Sequence, residues 1–164
     1  MRSDVARWPF FDYDNDRDLD LFLANGNPDD LNRSLHGEVA YDEPLLLFHK
    51  EGKSFEDVSA KSGPVFAANV SYRGLALGDF NNHGAVDVLI SANNGAPVLL
   101  RNNTARKNHW LGIRLIGKKA NSDAIGDVVT YKAGDLVRQR LKVGGGSYLS
   151  AHDPRMVLGL GNER

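Results

Sequence analysis

Asp12-Tyr13-Asp14-Asn15-Asp16-Arg17-Asp18-Leu19-Asp20 runs straight into Leu21-Phe22-Leu23-Ala24 and then meets Asn25-Gly26. A short apolar run bounded by turn residues reads as a buried strand. The pattern returns as Asp79-Phe80-Asn81-Asn82-His83-Gly84-Ala85-Val86-Asp87, followed by Val88-Leu89-Ile90-Ser91 and Asn94-Gly95. The offset between the copies is 79 − 12 = 67 residues. Pro44-Leu45-Leu46-Leu47-Phe48-His49 parallels Pro97-Val98-Leu99-Leu100-Arg101-Asn102 with an offset of 97 − 44 = 53. The difference, 67 − 53 = 14, places an insertion within 26–43, a stretch rich in Asn, Asp, Gly and Pro that reads as a long surface loop.

Outward from these copies, Glu51 to Ser59 reads as a turn and a short alternating strand, and Arg73 to Gly78 as a strand leading into the second loop. Strand, loop, strand, turn, strand, turn, strand, at a period of several dozen residues, points to a propeller or a similar array. After about residue 105 the style changes. His109 to Ile116 alternates, Asp127 to Lys132 is β-branched and strand-like, and Ala133-Gly134-Asp135 is a turn. Leu136 to Val143 makes a hairpin partner with Val137, Leu141 and Val143 on one face and Arg138, Arg140 and Lys142 on the other. No stretch reads as a helix. The fold class expected is all-β, with a repeat region over 1–104 and a small β-rich domain over 105–164.

The chemistry lies in the first nonapeptide. Asp12, Asp14, Asp16 and Asp20 stand at loop positions 1, 3, 5 and 9, and Asp18 at position 7 offers its backbone carbonyl. Calcium takes six to eight oxygens at about 2.3–2.6 Å, which alternate side chains of a curled loop can supply. Five carboxylates within nine residues repel one another unless a cation lies among them. Position 6 asks for Gly, and Arg17 stands there; a non-Gly residue at positive φ costs on the order of 1 kcal/mol. The expected affinity is accordingly modest, roughly 10⁻⁴–10⁻³ M. In the second loop Asp79, Asn81 and Asp87 keep positions 1, 3 and 9, Ala85 takes position 7, and Gly84 supplies the turn. His83 replaces the carboxylate at position 5, and imidazole is a poor calcium ligand. This loop is expected to keep its fold and to bind calcium weakly or not at all.

Composition narrows the function classes. The net charge of −1 hides an acidic front, with 14 acidic and 7 basic residues in 1–62, and a basic back, with 3 acidic and 10 basic in 101–142. No Cys is present, so no disulfide staples the chain. No apolar run reaches membrane-helix length, and the N-terminus has no signal-peptide h-region. The five His lack zinc-motif spacing. Gly144-Gly145-Gly146-Ser147 is neither a nucleophile elbow nor a phosphate loop. No enzyme site assembles, so a non-enzymatic role is expected.

The nonapeptides resemble the FG-GAP/VCBS repeats of integrin-like β-propellers, whose hallmark is D-x-D-x-D-G-x-x-D before a strand. The C-terminal part resembles the ASPIC/UnbV domain of the cartilage acidic protein-like family. The resemblance rests on Asn108-His109-Trp110-Leu111, Leu115-Ile116-Gly117, Asn121 through Gly126, Gly145-Gly146-Ser147-Tyr148-Leu149-Ser150, His152-Asp153-Pro154-Arg155 and Gly159-Leu160-Gly161. It implies incomplete propeller blades joined to an ASPIC/UnbV domain, as a fragment of a longer chain that holds the rest of the propeller. It also implies Ca²⁺ in a structural role, an extracellular or periplasmic location, and an adhesion-type role toward a protein or glycan ligand. The alternative is a polyanion, an acidic glycan or nucleic acid, on the basic face of Arg106, Lys107, Arg114, Lys118, Lys119, Arg138, Arg140 and Lys142. A pI near 6.5 weighs against nucleic acid.

Overall fold

A computed structural model describes residues 8–26, 41–104, 107–119 and 121–163. Most of the expected insertion within 26–43 lies outside the described residues, as does Arg106. The described chain is all-β, with eleven strands and two short 3-10 turns at Ser59–Lys61 and Pro64–Ala67. No helix among the described residues is long and apolar enough to cross a membrane.

The first sheet has the order β1 (Phe10–Phe11), β2 (Asp20–Leu23), β3 (Leu46–Glu51), β4 (Ser54–Asp57), all antiparallel. The second has the order β5 (Tyr72–Gly78), β6 (Asp87–Ala92), β7 (Val98–Leu100). In each sheet a nonapeptide joins the first two strands, so the sequence repeat is a structural one. The pairing corrects the second offset. Leu21 faces Phe48 and Val88 faces Leu100, so the third strands are related by 100 − 48 = 52, not 53. Aligning the prolines slips the strand by one residue, which would reverse every side chain across the sheet.

The two sheets share one core. Phe11, Phe22, Leu45 and Leu47 from the first sheet region pack with Tyr72, Leu75, Val88 and Ile90 from the second, and Phe66 of the second 3-10 turn joins them. These are the apolar residues of the two strand runs, and alternation along β2 buries Asp20 and Phe22 while leaving Leu21 and Leu23 partly exposed.

The C-terminal part forms two ribbons. β9 (Val128–Ala133) pairs with β10 (Leu136–Leu141), and β8 (His109–Arg114) pairs with β11 (Arg155–Gly161). Arg138, Arg140 and Lys142, which alternation puts on one face, do not stand together in solvent. Lys142 is buried, with its ammonium donating to the Pro154 carbonyl at 2.6 Å. Arg138 lies 3.5 Å from the Asp18 carboxylate, and Arg140 donates to the Arg17 carbonyl at 3.2 Å. The apolar face carries the exposure instead, with Val137 at 58% and Leu141 at 56%. The first loop holds Arg138 and Arg140, and the Pro154 carbonyl holds Lys142.

Candidate metal centre

The two nonapeptides adopt one conformation. Asp12 and Asp79, at position 1, each cap two amides: Asp12 accepts from Asp16 N at 3.0 Å and Arg17 N at 2.9 Å, Asp79 from His83 N at 3.0 Å and Gly84 N at 2.7 Å. Asp20 and Asp87, at position 9, each tie the loop to two neighbours. Asp20 accepts from Tyr13 N at 3.2 Å and from Lys50 N at 2.8 Å on β3. Asp87 accepts from Phe80 N at 3.3 Å and from Asn102 N at 2.7 Å, just after β7. The sharp turns match as well: φ is 62° at Asn15 and 86° at Arg17, against 56° at Asn82 and 86° at Gly84. Arg17 therefore holds the left-handed geometry that glycine holds in the other copy.

In the first loop the carboxylates of Asp12, Asp14 and Asp20 bring oxygens within 4.8 Å of one another. Burial pushes the Asp12 carboxyl up to about 7, with Asp16, Asp14 and Asp20 adding repulsion against the amide of Arg17. Asp20 is pushed up to about 6, again chiefly by burial. Asp14 is raised by burial and by Asp16. Three crowded carboxylates, two buried and one half-buried, that resist ionisation are what a hard divalent cation relieves, so the donor set fits calcium. Asp16 belongs to a second, overlapping group with Asp14 and His49. The Asp18 side chain stands apart, paired with Lys50 Nζ at 3.1 Å and with Arg138. The Arg17 guanidinium lies against Gly161, and its Nε donates to the Asp16 carbonyl at 3.2 Å.

Sequence reasoning missed His49. Its Nδ1 lies 3.1 Å from Asp20 Oδ1 and 3.8 Å from Asp14 Oδ2. No local spacing pointed to it, because β3 brings it to the loop from 29 residues beyond Asp20.

The second loop assembles Asp79, His83 and Asp87. Asn81 is exposed and Ala85 is buried. The His83 ring spans from Asp79 Oδ1, 3.1 Å from Nδ1, to the Asn102 carbonyl, 2.8 Å from Nε2. That carbonyl, with Asp79 behind it, raises the imidazole above its ordinary range despite partial burial. Burial alone would raise Asp79, but bonds from the His83 ring and the Gly84 and His83 amides hold it below the usual carboxylate range.

Both loops are held from behind by the C-terminal ribbons. Asn108 donates to the Asp14 carbonyl at 2.9 Å, and Gly161 N to the Asn15 carbonyl at 2.9 Å. A Cβ on Gly159 would stand 2.1 Å from Asp12 Oδ2 and 2.7 Å from Asn15 Cα, so only glycine lets β11 approach. On the second loop, Arg155 donates to the Asp79 carbonyl at 2.8 Å and contacts Asn82, and the Trp110 ring covers Gly84. The loops also touch each other, Asn15 Nδ2 donating to the Gly84 carbonyl at 2.8 Å.

The segment 150–153 covers the outer edge of β5. Ser150 Oγ and His152 Nδ1 accept from alternate amides of that strand: Leu75 N donates to Ser150 at 3.0 Å and Leu77 N to His152 at 3.2 Å. Asp153 N donates to the Leu77 carbonyl at 2.8 Å. An otherwise unpaired strand edge is thereby closed. His152 must be neutral at Nδ1 to accept, and burial, aided by Lys142, pushes its imidazole below the ordinary 6.5. A lowered folded value means the unfolded chain takes up the proton first. The stability this bond confers is therefore present above about pH 6.5 and is lost as pH falls toward the folded value. From pH 7.5 to 5 this bond is expected to subtract stability, read as the difference between unfolding titrations of the wild type and of His152→Gln, which keeps an acceptor and loses the titration.

No curated protein matches the chain. Most stretches that carry the resemblance, from Gly117 through Gly161, fall within one family match: residues 117–164 carry an ASPIC and UnbV domain.

Proposed function

We propose that the chain is a non-enzymatic, calcium-stabilised interaction module. In it FG-GAP/VCBS-type repeats of a β-propeller present their loops to an ASPIC/UnbV domain. One observation carries the reading: two nonapeptides share one turn geometry and one set of position 1 and 9 bonds, and in the acidic copy two buried carboxylates and one half-buried carboxylate converge within 4.8 Å. Asp12, Asp14 and Asp20 would hold the ion, with Asp16 and the Asp18 carbonyl as further oxygens. The ion supplies positive charge that lets these carboxylates ionise in a buried loop, and its role is structural. Adhesion to a protein or glycan outside the cell follows from the repeat resemblance, which the carboxylate geometry supports.

Ligand linkage sets the size of the test. With a dissociation constant of roughly 10⁻⁴–10⁻³ M, a tenfold to hundredfold excess of calcium adds about 1.4–2.7 kcal/mol. For a chain of this size that raises the melting midpoint by about 3–10 °C. Melting in calcium and in chelator is expected to differ by this amount, and coincident curves would remove the reading.

A further inference from the structure

We infer that the second loop is a site for a zinc-class transition-metal ion, held by Asp79, the Nδ1 of His83 and Asp87. The three side chains bring ligand atoms within 4.8 Å of one another. The ring's far nitrogen decides the chemistry. Nε2 lies 2.8 Å from the Asn102 carbonyl, which only accepts, so Nε2 carries the hydrogen. In the neutral ring this leaves the lone pair on Nδ1, which faces Asp79 Oδ1 at 3.1 Å. Two acceptors at that distance require a positive centre between them, either a proton or a metal ion.

The separation admits a metal as well as an ordinary N–H···O bond of about 2.7–3.2 Å. Ligands bound to zinc at about 2.0–2.1 Å in a tetrahedral arrangement stand roughly 3.3 Å apart. A carbonyl holding the second ring nitrogen is the usual outer support of a metal-bound histidine. The carboxylates are likewise oriented, Asp79 by the amides of His83 and Gly84 and Asp87 by those of Phe80 and Asn102. Arg155, the neighbouring cation, is paired with Asp153 at 2.5 Å. One nitrogen and two carboxylates form a borderline donor set, better suited to zinc than to the all-oxygen preference of calcium.

The test is a zinc titration of the full chain at pH 7.5 with calcium in excess to occupy the first loop. The ring-nitrogen resonances of histidine are followed, and His83 is assigned from the His83→Asn variant. Zinc is expected to shift His83 Nδ1 while Nε2 stays protonated. Zinc affinity is expected to fall by at least about 100-fold in His83→Asn and in Asp79→Asn, because each removes a ligand and not merely an outer support. A His83 ring that responds to pH but not to excess zinc would assign the place to a proton and overturn the inference. If Asp79→Asn fails to fold, the wild-type ring resonances alone decide. This outcome is independent of the first loop, since His83 is read by its own signal.

Discussion

Asp12→Asn is expected to make the calcium-free chain more stable than the wild type and to abolish its stabilisation by calcium. Asp12 is 7% exposed, and its carboxyl is pushed up to about 7 from 3.8. At pH 7.5 without metal, holding it ionised costs on the order of 3–4 kcal/mol, since every tenfold weakening of a carboxyl's acidity corresponds to about 1.4 kcal/mol. An amide removes that cost. It also loses one of the two amide bonds that Asp12 accepts, worth about 1–2 kcal/mol. The net expected gain is about 2 kcal/mol, or roughly 4–8 °C in melting midpoint. In calcium the difference closes, because the wild type gains about 1.4–2.7 kcal/mol that the variant, short of a ligand, does not.

The same cause sets a pH dependence. Folded carboxylates with raised values bind protons that the unfolded chain releases, so their stabilisation is complete below about 3.8 and lost as pH rises through about 6 at Asp20 and about 7 at Asp12. Calcium-free protein is therefore expected to gain stability from these groups on acidification, against the loss from His152, and Asp12→Asn should shrink the gain.

Gly159→Ala is expected to separate the C-terminal ribbons from the first loop. The added methyl would meet Asp12 Oδ2 at 2.1 Å and the Asn15 backbone at 2.7 and 2.8 Å. The carboxylate can rotate away, but only by leaving the carboxylate cluster, and Asn15 is held by its side-chain bond to the Gly84 carbonyl and by the Gly161 amide on its own carbonyl. Overpacking of this kind costs about 1–3 kcal/mol. The variant is expected to melt lower by that amount, to respond less to calcium, and to exchange amide hydrogens faster in β8 and β11. Gly145→Ala, whose new methyl would find its nearest neighbour at 4.0 Å, serves as the control.

The repeat was legible because its logic is local. Alternating carboxylates, a following apolar strand and an Asn-Gly turn lie within sixteen residues of one another in the first copy, and short-range spacing carries them. The strand offset was misjudged by one, because prolines drew the alignment while the ladder is registered by the residue that caps Asp20 or Asp87. His49 was missed because its partners lie 29 and 35 residues away in sequence, where spacing carries no signal. The inward turn of Arg138, Arg140 and Lys142 was illegible for a related reason. Strand alternation says that cations and apolar residues take opposite faces, but not which face meets an acidic loop more than a hundred residues earlier. Gly159 reads as an ordinary strand glycine until the loop it admits is placed against it.

The most direct measurement is a calorimetric titration of calcium into the full chain at pH 7.5, beside Asp20→Asn. The account expects saturable heat with a dissociation constant of roughly 10⁻⁴–10⁻³ M in the wild type and its disappearance in the variant. Heat of dilution alone from the wild-type protein would contradict it.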